Sequence, residues 1–226
     1  MEIINITYQQ AMEWCLKKHY AHRKPMYQHA YGLVENGNIE GVVVYGRPPC
    51  QIEKSVFVNP NFEFTVFELT RLVIQTKTKN AASFLVGNSL KLLPKNNIVV
   101  SYADSAIEHC GIVYQATNWI YTGGTKAHDT EYVVNGVKMH PKTITERLGI
   151  TAIAKWAEEN NVERIKPQIK HRYFFINADN RTRIKMLKCL RYEIIKQYPK
   201  CEKKNYDAGE LIKMPIVKQY EQTTLF

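Results

Sequence analysis

No apolar run in this 226-residue chain approaches the length needed to cross a bilayer, and the opening "MEIINITYQQ" lacks the charged-then-apolar pattern of an export signal. The expectation is a cytoplasmic protein with no membrane partner. Cysteine is sparse. Cys15, Cys50, Cys110, Cys189 and Cys201 are odd in number, widely spaced and form no C-x-x-C pair. That argues against a thiolate zinc site and for free thiols in a reducing compartment. Neither G-x-G-x-x-G nor a Walker lysine motif occurs, so no ready-made nucleotide loop is present. Internal repeats, low-complexity tracts and Pro/Gly/Ser linkers are also missing. Acidic residues are scarce in one stretch: over residues 170–204 eleven Lys or Arg meet only Asp179, Glu193 and Glu202. This segment holds most of the formal net charge of +10. Such concentration suits a polyanion, with a solvated basic face as the plain alternative.

What is present is a globular composition, 45% hydrophobic, in a chain long enough for one substantial core. We read a single domain over 1–204, with a basic segment at 170–204, and a loosely attached tail at 205–226. A helix is expected over 6–19, followed by the polar stretch "HYAHRKPMYQH". "AYGLVE" and "IEGVVVYG" pair around "ENGN" as a hairpin. "FTVFELTRLVI" (64–74) is rich in β-branched and aromatic residues and reads as a long strand. "SFLVGNSLKLL" (83–93) reads as a helix and "NNIVVSYAD" (96–104) as a second strand. Together they make a right-handed βαβ unit with parallel strands. A helix over 106–118, a strand from Trp119, a long loop, a helix within 143–160 and the strand "KHRYFFI" follow. The last element is the basic helix "NRTRIKMLKCLRY", with Ile184, Leu187 and Leu190 on its apolar side. The fold class is α/β, a mixed sheet flanked by helices.

The chemistry-bearing residues gather at one rim of that sheet. Ligands bind where a βαβ unit points its first loop and helix N-terminus, because unpaired N–H groups and the helix dipole attract anions. The loop there offers Lys77, Lys79, Asn80, Ala81, Ala82 and Ser83 to a phosphate; an ordinary capped helix is the bland reading. Asp104 stands at the end of the second strand, as a proton acceptor or as a helix N-cap. Tyr114 follows about three turns into the next helix, as a catalytic hydroxyl or a satisfied buried ring. Glu68 and Arg71 sit within an apolar strand and need partners if buried. His22 is a candidate base or metal ligand in a segment where a surface histidine is the default.

"FELTRLVI", "KNAASFLVG", "VVSYADS…HCGIVYQATNWIYTG", "HPKT" and "KHRYFFI…LKCLRY…YPK", in this order, resemble the Mom family of bacteriophage DNA adenine-modification proteins. The resemblance runs from about His19 to Lys200. It implies a divergent GCN5-related N-acetyltransferase fold, whose two central parallel strands splay to admit an acyl donor. It also implies conversion of DNA adenine to N6-carbamoylmethyladenine, which shields phage DNA from restriction in the cytoplasm of the infected host. By this likeness Ser101, Asp104, Tyr114 and Asn118 become catalytic candidates, joined by Glu68 and Arg71. Residues 80–83 then take the carrier, either acetyl-CoA or another acyl or glycyl donor, and an iron or other metal is a further candidate. The fold's usual R/Q-x-x-G-x-G/A pyrophosphate loop is absent. Double-stranded DNA is the expected partner, held by Lys170, Arg172, Arg181, Arg183, Lys185, Lys188 and Arg191. The terminal "QTTLF" resembles the peptide by which replication proteins bind the sliding clamp, through Gln222, Leu225 and Phe226. The competing readings are an acyltransferase acting on a small amine, protein or tRNA, and a non-catalytic DNA-binding protein.

Overall fold

The computed structural model describes residues 1–125, 131–165, 169–202, 212 and 214. Its centre is a seven-stranded mixed sheet whose strands lie in the order Glu2–Asn5, His29–Glu35, Asn38–Gly46, Thr65–Ile74, Asn97–Asp104, Lys170–Asn177 and Ile120–Gly124. Strand β1 (Glu2–Asn5), from the opening residues, pairs with β2 and was not expected from the sequence. Helix α1 (Tyr8–Lys17) starts at Thr7, whose hydroxyl and Gln10 form a capping box. Strands β2 (His29–Glu35) and β3 (Asn38–Gly46) meet at Asn36–Gly37, both with positive φ, as a two-residue hairpin requires. After Pro49 comes a short helix α2 (Cys50–Ser55), where the sequence reading had only a break.

The expected βαβ unit is β4 (Thr65–Ile74), α3 (Ala81–Leu92) and β5 (Asn97–Asp104). Strands β4 and β5 pair in parallel only from Thr65–Asn97 to Glu68–Val100, and beyond that point they part. Opposite β3 the register slips by one residue: Arg71 faces Val44 but Leu69 faces Tyr45, leaving Thr70 as the extra residue of a bulge. The Thr70 hydroxyl donates to the Val44 carbonyl at 3.1 Å, which fixes the bulge in place.

Helices cover both faces. Tyr31, Leu33, Val43, Tyr45, Phe67 and Leu69 pack under α3 through Leu85, Val86 and Leu90. On the opposite face α1 brings Trp14 and Cys15 onto Val42, Val44 and Val73. Beside it, α2 and α7 (Asn180–Cys189) cover Val66, Ile98, Val100, Phe174 and Ile176. In α7 the buried contact is Met186, whereas Ile184, expected on the apolar side, is 54% exposed. Leu187 and Leu190 do pack against that core, Leu190 from the extended C-cap position, whereas Ile184 lies about 60° further round the helix from Leu187.

The expected helix over 106–118 is instead a 3-10 turn (Ser105–Ile107) and a five-residue helix α4 (Ile112–Ala116). Gly111, at φ +80°, separates them, and a Cβ there would collide with the Tyr173 ring. Strand β6 (Ile120–Gly124) follows. The expected long loop and helix become a small unit with its own core. It comprises the hairpin β7 (Glu131–Val134) and β8 (Val137–Met139), α5 (Pro141–Leu148), α6 (Ile153–Glu159) and β9 (Glu163–Ile165). Tyr132, Val134, Ile144 and Ala157 are buried inside it. Asn135–Gly136 repeats the positive-φ turn of the first hairpin. Strand β10 (Lys170–Asn177) then returns between β5 and β6.

The cysteines depart from expectation. Cys110 and Cys201, expected as free thiols, are joined in a disulfide across 91 residues; Cys15, Cys50 and Cys189 are free. The return of residues 190–201 over α4 and β6 brings the two sulfurs together. Of the two described residues after 204, Met214 is buried and Ile212 exchanges hydrogen bonds with the Gln75 side chain. Among the described residues no helix is long and apolar enough to cross a membrane.

Candidate active site

The parting of β4 and β5 leaves backbone groups without a strand partner. Ser101, the first β5 residue beyond the paired region, sends its hydroxyl to the Leu69 carbonyl at 3.1 Å and lies 2.8 Å from the Tyr114 hydroxyl. A serine has one hydrogen and a carbonyl can only accept. Both contacts are met together when Ser101 donates to Leu69 and Tyr114 donates to Ser101. Burial pushes the Tyr114 hydroxyl up to about 12, so it remains a protonated donor at neutral pH. Ser101 and Tyr114, proposed from sequence, are thus brought into direct contact.

Glu68 stands at the last paired position of β4, where the strands separate. Strict alternation would place Glu68 and Arg71 on opposite faces, but the bulge at Thr70 turns both to the same side. They are coupled through space without forming an ion pair within 4 Å among the described residues. Burial raises the Glu68 carboxyl to about 7, against the pull of Arg71 and Lys170. A carboxylate tuned to neutrality is suited to exchanging a proton with a reacting group. The Arg71 guanidinium donates to the Thr70 carbonyl (2.6 Å) and the Arg23 carbonyl (3.4 Å), while its buried Nε–H has no hydrogen-bond partner among the described residues. That orphaned donor beside Glu68 fits an acceptor atom of a bound substrate.

The segment after α1 crosses this opening. Gly46 is needed there, because a Cβ would strike the Met26 backbone. His19, which the sequence reading left unassigned, is buried, and its ring lies against Tyr20. Burial, with Arg71 as the next cause, lowers its pKa to about 3, so the ring is neutral. Its Nδ1 accepts the Ala21 N–H at 3.1 Å, which places the ring proton on Nε2. His22, exposed and at φ 42°, has the opposite tautomer. Its Nδ1 is 2.9 Å from the acceptor-only Leu16 carbonyl, which leaves Nε2 with the lone pair. His109 is electrostatically coupled to His19 and to Asp104, so the two loops face each other over the opening.

Asp104 is the last residue of β5, with its carboxylate 3.8 Å from Lys170 Nζ. It directly precedes the 3-10 turn (Ser105–Ile107), and α4 begins only at Ile112. Asn118 is exposed, with φ 60°, where the chain turns from α4 into β6. Its observed role is that of a turn residue. Among the described residues no three of His, Cys, Asp or Glu form a metal-holding group.

At the start of α3, Asn80 is the N-cap in a left-handed conformation with no side-chain cap, and Ser83 donates to its carbonyl. The preceding loop is held by Glu35, whose carboxylate accepts from the Thr76 and Thr78 hydroxyls at 2.7 and 2.9 Å. Lys77 and Lys79 are outside this clasp, and Ala81 is buried beside Ala82. A carboxylate at this entrance, with no glycine in the first turn, does not fit a coenzyme A pyrophosphate.

The basic residues divide. Arg181, Lys185 and Lys188 are exposed on α7, and Lys170 stands at the rim beside Asp104. Arg183 reaches the Ile176 carbonyl at 3.4 Å, and Arg191 donates to the Ser55 carbonyl at 2.7 Å. Arg172 is engaged internally: its guanidinium stacks 3.7 Å from the Tyr192 ring and bonds to Thr122. Gln222, Leu225 and Phe226 lie outside the described residues.

A family model described as the Mom protein family matches residues 1–200. No curated protein matches the chain. A solved structure from Corynebacterium glutamicum, described as "histone acetyltransferase HPA2 and related acetyltransferase", has 9% sequence identity and a TM-score of 0.42. It covers 78% of this chain and 96% of its own.

Proposed function

The chain belongs to the Mom protein family, a family of phage DNA modification, and from that premise we propose that it is a transferase acting on the exocyclic amine of adenine in DNA. The observation that carries this reading is the group at the parting of β4 and β5: Glu68 near neutrality, Tyr114 protonated and bonded to Ser101, and Arg71 with an unpartnered N–H.

In this reading the adenine leaves the stack, because its amine is occupied in base pairing within the duplex. Exposed Arg181, Lys185 and Lys188 hold backbone phosphates without reading sequence. The amine attacks the donor carbonyl, Glu68 takes up the proton released, and Tyr114 supplies one to the leaving group. The Arg71 Nε–H and the neutral His19 Nε2–H face the developing negative charge. The α3 entrance, with Glu35 clasping its loop, favours a donor whose carrier is not anchored by a pyrophosphate. A glycyl donor supplies every atom required, since an N6-glycyl adenine is an isomer of N6-carbamoylmethyladenine. Exchange of the two nitrogens at the purine carbon then balances without another reactant.

Nucleoside mass spectrometry on DNA from cells expressing the chain tests the reading. A new adenine derivative is the expected result. Acylation of a small amine, protein or tRNA, with unmodified DNA, would replace it with the related acyltransferase reading.

A further inference from the structure

Helix α4 has five residues, too few to hold itself together, so the position of Tyr114 depends on what grips it. The run 194–201 grips it at three places. Cys201 is bonded to Cys110 at its entrance. Gln115 Nε2, in its middle, is within bonding distance of the Pro199 carbonyl (3.1 Å), the Cys110 carbonyl (2.9 Å) and the Tyr173 hydroxyl (3.2 Å). At its exit the Tyr198 hydroxyl donates to the Trp119 carbonyl at 2.6 Å, and Ile195 N–H donates to Tyr121 on the edge strand. Neither Gln115 nor this strap touches Ser101, Glu68 or Arg71 in these contacts.

We propose that the 194–201 strap positions Tyr114, with Gln115 as the positioning residue and the Cys110–Cys201 bond as a thiol-sensitive clasp. This rests on the reading that Tyr114 belongs to the transfer site. Cys110 is buried and Cys201 exposed, so a dithiol reductant attacks the Cys201 sulfur and Cys110 leaves as thiolate. The second thiol of the reductant then resolves the mixed disulfide. Two electrons and two protons pass to the protein, giving two cysteine thiols and the oxidised reductant. The strap is left on its hydrogen bonds and on side-chain packing, chiefly Tyr198 against the core and the Tyr173 ring.

The test uses the full chain, oxidised or treated with dithiothreitol, beside Cys201→Ser, Gln115→Ala and Gln115→Glu. Hydrogen exchange over residues 111–121 is followed together with modification kinetics on a duplex. Reduction, or Cys201→Ser, should raise exchange there at least tenfold while the β2–β3 hairpin, the control for intact folding, is unchanged. It should lower kcat three- to tenfold with KM for DNA unaltered, and Cys201→Ser should ignore dithiothreitol. Gln115→Ala and Gln115→Glu, which both lack the N–H donors, should loosen the oxidised protein in the same way. Equal exchange in oxidised and reduced protein, or raised exchange with kcat unchanged, overturns the proposal. Redox-dependent exchange in a protein that modifies no adenine would overturn the transferase reading and leave the clasp standing.

Discussion

Replacing Glu68 by Gln keeps the shape of the side chain and removes its ionisation. The carboxyl is raised from 4.5 to about 7 by burial, so between those values the native state holds a proton that the unfolded chain has released. Stability contributed by this group therefore falls as pH rises through that window and is level above it. Two and a half units correspond to at most about 3 kcal/mol, a large share of the stability of a domain. Relative to wild type, Glu68→Gln should gain stability from about pH 5 to pH 7 and hold that gain at pH 8. The gain at pH 8 should lift Tm by up to about 6–12 °C for a chain of this size. Urea unfolding followed by the fluorescence of buried Trp14 and Trp119 measures this, and other titrating groups cancel in the difference between the two proteins. The same substitution should cut the transfer rate by roughly 10²–10⁴, the usual loss of a general base. Wild-type rate should rise through about pH 7 as the carboxylate forms. A stability difference that does not change with pH would refute the raised pKa, and with it the reason for choosing Glu68 as the base.

Tyr114→Phe keeps the ring packed on Trp119 and Tyr173 but removes the donor to Ser101. Turnover should fall at least tenfold with DNA affinity unchanged, measured by single-turnover modification and filter binding. Asp104→Asn should abolish modification while fold and DNA binding persist, and full activity in that variant would end its catalytic claim. Replacing Lys185 and Lys188 by Ala should weaken binding to all duplexes and reduce the salt slope by about two phosphate contacts, read from titrations at several salt concentrations. A peptide spanning 218–226 should bind the bacterial sliding clamp in the micromolar range, worth about 7–8 kcal/mol. No binding by the intact protein at high micromolar concentration would dismiss the tail as a tether.

The β4–α3–β5 unit was legible because its cues are local. β-branched and aromatic runs specify strands, an Asn-Gly pair specifies a hairpin, and a loop rich in lysine and small residues precedes a helix. Glu68 and Arg71 stood out because charged groups inside an apolar strand are costly unless paired. Tyr114 stood out as a hydroxyl in the helix after Asp104, while Ser101 became a candidate only through the family resemblance. The elements between 125 and 165 were less legible. Their apolar faces close on a separate small core, which leaves short segments with weak periodicity.

Sequence alone determined the element types at the centre and the clustering of basic charge near the C-terminus, because each depends on neighbours within a few positions. Only the tertiary structure decided how the candidate side chains meet. The bulge at Thr70 puts Glu68 and Arg71 on one side, although their spacing alone would separate them. The neutrality of His19 comes from burial and from Arg71, 52 positions along the chain. Cys110 finds Cys201 across 91 residues because the strap folds back over α4. A side chain's pKa, its facing and its distant partners depend on the field and packing of residues far away in sequence, and no local pattern encodes them.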